Sequence, residues 1–201
     1  MRTVAGPSRG ETDGVQGGEA AFDCLVETYH APIFNFCYRM LGEPAEAEDA
    51  AQETFLRAYQ HRQRYDASRP VRSWLMAIAA HYCIDCLRRR RLVWVSLDEE
   101  PVLQHPALCD PAPGPESAAI VAEHCREIRA QLARLAPRDR EVIVMHYWGY
   151  LSYTEIATAT DSTPCAVKSR LHRARTRLGQ LLRQPAAPLR AAVGAERQYA
   201  L

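Results

Sequence analysis

The chain has 201 residues, 47% of them hydrophobic, and carries 25 Lys and Arg against 24 Asp and Glu, for a net charge of +1. That is enough apolar material for one ordinary domain or two small ones, and the near-neutral balance excludes nucleic-acid binding through bulk charge, so any such function must rest on local clusters. Apolar runs fall short of the roughly 18 residues that span a bilayer, and the start is polar and Gly-rich rather than a signal peptide, so a cytoplasmic protein without membrane insertion is expected.

Residues 1 to 18 lack periodicity and read as a disordered tail. The first predicted helix, Glu19 to Leu41, sets Phe22, Val26, Tyr29, Ile33, Phe36 and Met40 at alternating steps of four and three. Pro32 should bend it and Gly42 end it. A second helix, Ala45 to about Arg64, buries Ala47, Ala51, Phe55, Ala58 and Tyr59, and the stretch Glu43 to Glu53 holds five acids and no base. A third, Val71 to Arg91, buries Trp74, Leu75, Ile78, Tyr82 and Leu87 and ends in the basic run Arg88 to Arg91. Three helices joined by short turns predict one compact module over residues 19–92.

Between Val93 and Glu116 five prolines forbid a long helix, and Asp98, Glu99, Glu100, Asp110 and Glu116 stand there without a Lys or Arg. The segment 93–116 reads as a flexible anionic strap suited to a basic channel. Ser117 is expected to cap the next helix, which carries Val121, Cys125, Ile128, Leu132 and Leu135 on one stripe. Pro137 should start another through Val142, Ile143, Met145 and Tyr147, closed by Gly149. A second module then covers 117–184, and residues 185–201 look like a loose tail. No strand-like alternation occurs, so the expected fold is all-α: two small helical domains joined by a Pro-rich acidic linker.

The stretch Ser152 to Leu178 says most about function. Ser152 with Glu155 forms a capping box that opens a short helix over Tyr153 to Ala159, with Ile156 and Ala157 facing inward. A polar turn, Thr160 to Thr163, follows. Thr163 as N-cap and Pro164 at the first helical position start a second helix, with Val167, Leu171, Ala174 and Leu178 on its apolar side. Its other side shows Lys168, Ser169, Arg170, His172, Arg173, Arg175 and Arg177. This is a helix-turn-helix whose second helix has the cations to neutralise phosphate and reach base edges in a major groove. A merely solvated cationic helix would explain the charge without the caps.

Seven cysteines, an odd number, sit mostly at apolar helix positions and are expected reduced and buried. His81, Cys83 and Cys86 spell a string found in zinc and redox sites, but no second Cys/His pair lies nearby, and packing is the simpler reading.

Four strings in series, AEDAAQETFLRAY (Ala47 to Tyr59), VRSWLMAIAAHYCIDCLRRR (Val71 to Arg90), LARLAPRDREVIVMHYWGYLSYTEIA (Leu132 to Ala157) and VKSRLHRARTRL (Val167 to Leu178), resemble a bacterial RNA polymerase sigma factor of the extracytoplasmic-function group. The resemblance covers most of residues 20 to 183. It implies a promoter-recognition factor without catalytic residues, cofactor or metal, whose partners are core RNA polymerase, through the clamp helices of its largest subunit, and promoter DNA; an anti-sigma factor is a further partner it allows. By position, Asp49, Gln52 and Glu53 should face the clamp helices. Tyr65, Arg69, Arg72, Trp74, His81, Arg88 and Arg89 should meet the minus-ten element, where the loop from Tyr65 to Arg72 and the facing helix build a pocket for a flipped base. Lys168, Ser169, Arg170, His172, Arg173 and Arg177 should meet the minus-thirty-five element. Three positions depart from the family pattern: His81 stands for Asn, Asp161 for Gly in the turn, and Ala166 for Thr early in the recognition helix. The rivals are a free-standing helix-turn-helix regulator, which leaves the first module without a role, and a thiol or zinc enzyme built on His81, Cys83 and Cys86.

Overall fold

The computed structural model describes residue 15, residues 18–93 and residues 115–183. The expected tails, apart from those few positions, and the acids Asp98, Glu99, Glu100 and Asp110 of the linker lie outside the described residues, as does Cys109. Within the described residues the chain is helical and without strands. Helices α1 (Glu19–Leu41), α2 (Pro44–His61) and α3 (Val71–Val93) form the first half, with a 3-10 turn at Arg62–Arg64. The second half comprises α4 (Pro115–Ala133), α5 (Pro137–Tyr147), α6 (Tyr153–Ala159) and α7 (Pro164–Arg183).

Small residues let the first three helices approach closely. Ala47, Ala50, Ala51 and Ala58 of α2 and Ala79 and Ala80 of α3 are fully buried, and into the space they leave fit Ile33, Phe36 and Met40 of α1. This corrects the expected stripe on α3. Leu75, Met76, Ala79, Ala80 and Cys83 form its buried face, whereas Trp74, Ile78, Tyr82 and Leu87 are half-buried at the rim. Helix α1 runs unbroken through Pro32 and ends where Gly42, at φ 87°, sends its N–H back to the Tyr38 carbonyl at 2.9 Å.

Helix α1 also buries Leu25, Phe34, Cys37, Tyr38 and Leu41, more than one apolar stripe can supply. The reason is that it is covered on two sides, by α2 and α3 and by α4 and α5. Helix α3 likewise touches α5 and α6. The two halves therefore share a boundary, and α1 belongs to both cores.

One end differs from expectation. Helix α4 begins at Pro115, ahead of Ser117, because proline lacks only an N–H that the first turn leaves unpaired in any case. Helix α5 closes as expected at Gly149, whose N–H returns to the Val144 carbonyl at 3.0 Å, and the left-handed residue beyond it is Tyr150, at φ 55°. Glycine is needed at 149 for room: a Cβ there would lie 2.5 Å from the Met145 carbonyl oxygen. The helix-turn-helix ends form as their residues dictate. Glu155 N–H donates to Ser152 Oγ (3.3 Å) while Ser152 N–H donates to the Glu155 carboxylate (2.8 Å), and Ala166 N–H donates to Thr163 Oγ1 (3.2 Å). Asp161 takes φ 48° in the turn between them, a conformation its short polar side chain tolerates.

Candidate nucleic-acid interface

Three surfaces hold the residues singled out by sequence. On α2, Asp49 and Gln52 are exposed and Glu53 is half-buried. Gln52 donates to Glu48 at 3.2 Å, and Glu53 accepts from Arg57 at 2.6 Å. Both partners lie four residues away on the same helix, so the acidic face is ordered from within. Asp49 has no ion pair among the described residues and is the acid freest to meet a cation from elsewhere.

The second surface is the loop before α3 and the outer side of that helix. Tyr65 is buried: its hydroxyl donates to the Arg69 carbonyl, and its ring lies 4.9 Å from that of Trp74. It fixes the loop instead of offering a free face for stacking. Asp66 accepts from the Ser68 hydroxyl and N–H and pairs with Arg69 at 3.2 Å; the Ser68 hydrogen bonds hold its carboxyl below the usual range. Arg69, His81, Arg88 and Arg89 are exposed. Arg88 pairs with Asp85 at 3.1 Å, and Arg89 lies 6.0 Å from the Tyr82 ring centre. Arg72 is half-buried, its guanidinium 5.4 Å from the ring of Tyr150 on the other half of the molecule.

The third surface is α7. Val167, Leu171, Ala174 and Leu181 turn inward, which leaves Lys168, Ser169, His172, Arg173 and Arg177 exposed. Among the described residues Arg177 reaches only Gln180, at 3.5 Å, and Lys168 and Arg173 have no ion pair. Cations without acids are what a polyanion needs. Arg170 stands apart from this set. It is half-buried, and its charge acts on Glu141, a fully buried carboxylate of α5 paired with Arg138 at 3.2 Å. Burial pushes the Glu141 carboxyl up, against the pull of Arg138, His81 and Arg170.

Comparison with known proteins decides what carries these surfaces. Residues 25–93 match the Sigma-70 region 2 family and residues 125–178 match Sigma-70, region 4. The chain is 34% identical over 172 residues to the ECF RNA polymerase sigma factor SigW of Bacillus subtilis (strain 168), covering 84% of this chain and 92% of that one. The chain belongs to the ECF sigma factors. It is also 33% identical over 163 residues to SigL of Mycobacterium tuberculosis (strain ATCC 25618 / H37Rv), covering 79% of this chain and 88% of that protein. In fold it is similar to CnrH, solved in complex with the cytosolic domain of CnrY (TM-score 0.61, 26% identity, 86% of this chain and 94% of that chain). The fold is also that of RpoE from Bartonella quintana, solved with the anti-sigma factor NepR (TM-score 0.64, 24% identity, 80% of this chain and 96% of that chain).

A sigma factor is a non-enzymatic partner of core RNA polymerase that directs initiation at chosen promoters, and a free-standing helix-turn-helix regulator is the less favoured reading. Cys83 turns into the core beside Cys37, and the hydrogen bond between the two thiols, then burial, pushes the Cys83 thiol well above its usual value. His81, two residues away, is exposed, and no group of three or more His, Cys, Asp or Glu able to hold a metal occurs among the described residues. Nor is any helix among them long and apolar enough to cross a membrane.

Sequence reasoning missed the residues that join the two halves. Arg140 is buried, donates to the Met40 carbonyl at the end of α1 and, at 2.7 Å, to the Ala133 carbonyl. Burial and, next, repulsion by Arg90 lower its pKa to about 10. Arg39 lies 5.0 Å from the ring of Trp148, and Arg129 lies 4.8 Å from that of Tyr38. The sequence carries no signal for these contacts: Arg140 and Glu141 simply end the charged run Arg138–Glu141 ahead of the apolar Val142–Met145.

Proposed function

We propose that this sigma factor divides its work between its halves as follows. Asp49, Gln52 and Glu53 dock on the clamp helices of the polymerase largest subunit. The outer side of α3 and the preceding loop, through Arg69, Arg72, Trp74, His81, Arg88 and Arg89, with Tyr65 holding the loop, engage and open the minus-ten element. Lys168, Ser169, His172, Arg173 and Arg177 meet the minus-thirty-five element, while Arg170 supports α7 through Glu141. The observation that supports this reading is the separation of charge: an acidic face on α2, ordered by its own helix, and a face on α7 whose Lys168, Arg173 and Arg177 have no ion pair among the described residues. The protein works in the cytoplasm, where polymerase and promoter are. An anti-sigma factor is a reasonable further partner, since RpoE from Bartonella quintana was solved with one.

The test of the docking face is affinity for core polymerase. Asp49→Lys should weaken it more than Glu53→Lys, because Glu53 already spends part of its charge on Arg57, and the pair together should lose more than the ~1 kcal/mol of one exposed ion pair. Unchanged affinity of the double variant, with its helicity intact, would remove α2 as the docking face.

A further inference from the structure

We propose that the cavity where the end of α1 meets α4 and the end of α5 is a binding site for a small phosphate monoester. Arg39 and Arg129 hold its phosphate, and Ile128, Leu132 and Trp148 receive its organic body. Neither the acidic face of α2 nor the cations of α7 take part, so the inference stands apart from the polymerase and promoter assignments.

Three elements build the cavity, which has a volume of about 110 Å³. Arg39 comes from the last turn of α1 and Trp148 from the end of α5. Cys125, Ile128, Arg129 and Leu132 come from α4, where their spacing sets them on one helix face. Leu132 is fully buried, and Ile128 is 36% exposed. An engineered apolar cavity of about 150 Å³ encloses a benzene ring. The smaller space here accepts an anionic head group and leaves the rest of the molecule lying toward Ile128 and solvent.

Two guanidinium groups share this cavity, and no acid answers them. Among the described residues neither Arg39 nor Arg129 has an ion pair, whereas Arg126 on the same helix pairs with Glu123. Arg39 gives one N–H to the Asn35 carbonyl at 2.9 Å; no other hydrogen bond of Arg39, and none of Arg129, occurs among the described residues. Each guanidinium lies over an aromatic ring, Arg39 5.0 Å from that of Trp148 and Arg129 4.8 Å from that of Tyr38. A guanidinium held by its face donates from its edge, and that edge grips a phosphate through two parallel bonds.

Burial lowers the pKa of Arg39, and the charge of Arg129 lowers it further, against Cys125 and Tyr150. A bound anion relieves both costs. A phosphate monoester brings about −1.5 to −2 charges at neutral pH, enough for both arginines, whereas a carboxylate or a DNA phosphodiester brings a single charge. Inorganic phosphate has the charge but nothing to lay against Ile128 and Trp148.

Isothermal titration of the full-length protein with phenyl phosphate, inorganic phosphate and benzoate separates these chemistries. Phenyl phosphate should bind about tenfold more tightly than either of the others, the loss expected when one charge-assisted hydrogen bond or part of the apolar contact is missing. Arg129→Gln should lower its affinity about tenfold, and Ile128→Glu, which sets an acid at the cavity, should abolish binding. Arg175→Gln, which removes an exposed cation of α7, should leave it unchanged. Ile128 is exposed and Arg129 half-buried, so both variants should keep their helicity, which circular dichroism checks. Saturating phenyl phosphate should also raise the Tm of wild type and not that of Ile128→Glu. Benzoate or inorganic phosphate binding as tightly as phenyl phosphate overturns the monoester, and no binding up to about 10 mM phenyl phosphate overturns the site. Affinity that survives Arg129→Gln and Ile128→Glu but falls in Arg175→Gln also overturns it, because the anion is then held by the recognition helix. Displacement of phenyl phosphate by a single-stranded DNA of about 12 nucleotides overturns it in favour of backbone phosphate.

Discussion

The two halves of this sigma factor are held together by different means. The first is an apolar core of α1, α2 and α3 brought close by six buried alanines, and its polar contacts are mostly short-range pairs on the surface. The second packs four helices around a buried carboxylate and a buried guanidinium, and it sets α6 and α7 with side-chain caps and two left-handed residues, Tyr150 and Asp161. A core of small residues fixes helix spacing and makes a platform. Caps and polar locks fix the angle at which a short helix leaves a turn, which is what presentation of α7 requires.

The largest effect should come from a buried side chain of the helix that both halves share. Phe36 is 2% exposed on α1, and Phe36→Ala should cost about 3 to 5 kcal/mol in urea unfolding. Because α1 is shared, amide exchange should accelerate in α5 as well as in α2 and α3. Loss confined to the first three helices would show that the halves fold without each other.

A smaller and local effect should follow Ser152→Ala. It removes the acceptor for the Glu155 N–H and one of the two donors to the Glu155 carboxylate, the backbone N–H of residue 152 remaining; such a cap is typically worth about 0.5 to 2 kcal/mol. Exchange should quicken at α6 amides and leave α1 to α3 unchanged. Equal protection of α6 in the variant would mean that packing of Ile156 and Ala157, not the cap, sets this helix.

The smallest effect is a pH dependence specific to the second half. Burial raises the folded-state pKa of Glu141 above its ordinary 4.5, so between 4.5 and the raised value the folded chain binds a proton that the unfolded chain has released. Wild type should therefore lose stability relative to Glu141→Gln as pH rises through that window, and the difference should be level above it. A difference that grows in wild type's favour with rising pH would show that Arg138, not burial, governs this carboxylate.

Much of the fold can be read directly from residue pattern. The start of α7 was legible because Thr163 and Pro164 each have one physical role there, and the end of α1 because Gly42 takes a conformation closed to most residues. The rim of α3 was misplaced because period alone favours large residues such as Trp74, whereas the actual contact is made by Ala79 and Ala80, which carry little hydrophobic signal. Tyr150 gave no sign of its left-handed backbone, since no sequence rule favours that conformation for a tyrosine, and the need for glycine at 149 lies in the crowding of a Cβ against Met145. The boundary between the halves was not legible at all, since Arg140 finds its acceptor, the Met40 carbonyl, 100 residues earlier. Of the site residues, those on α7 stood out because cations interrupt a clear apolar stripe; Arg170 belongs to the same run by sequence and differs only by facing Glu141.

Base reading by α7, with the first half holding polymerase, is the central proposal, and one experiment addresses it directly. Polymerase carrying wild type, Arg173→Ala or Arg177→Ala is used to transcribe a promoter library randomised at the minus-thirty-five element, at two salt concentrations. Arg173 is exposed, unpaired among the described residues and in the first half of α7, so its loss should relax preference at one or two positions, each worth roughly 1 to 3 kcal/mol. Arg177 lies a turn further on, and its loss should weaken all sequences alike and flatten the salt dependence. Identical preferences for wild type and Arg173→Ala at both salt concentrations would contradict base reading through this residue.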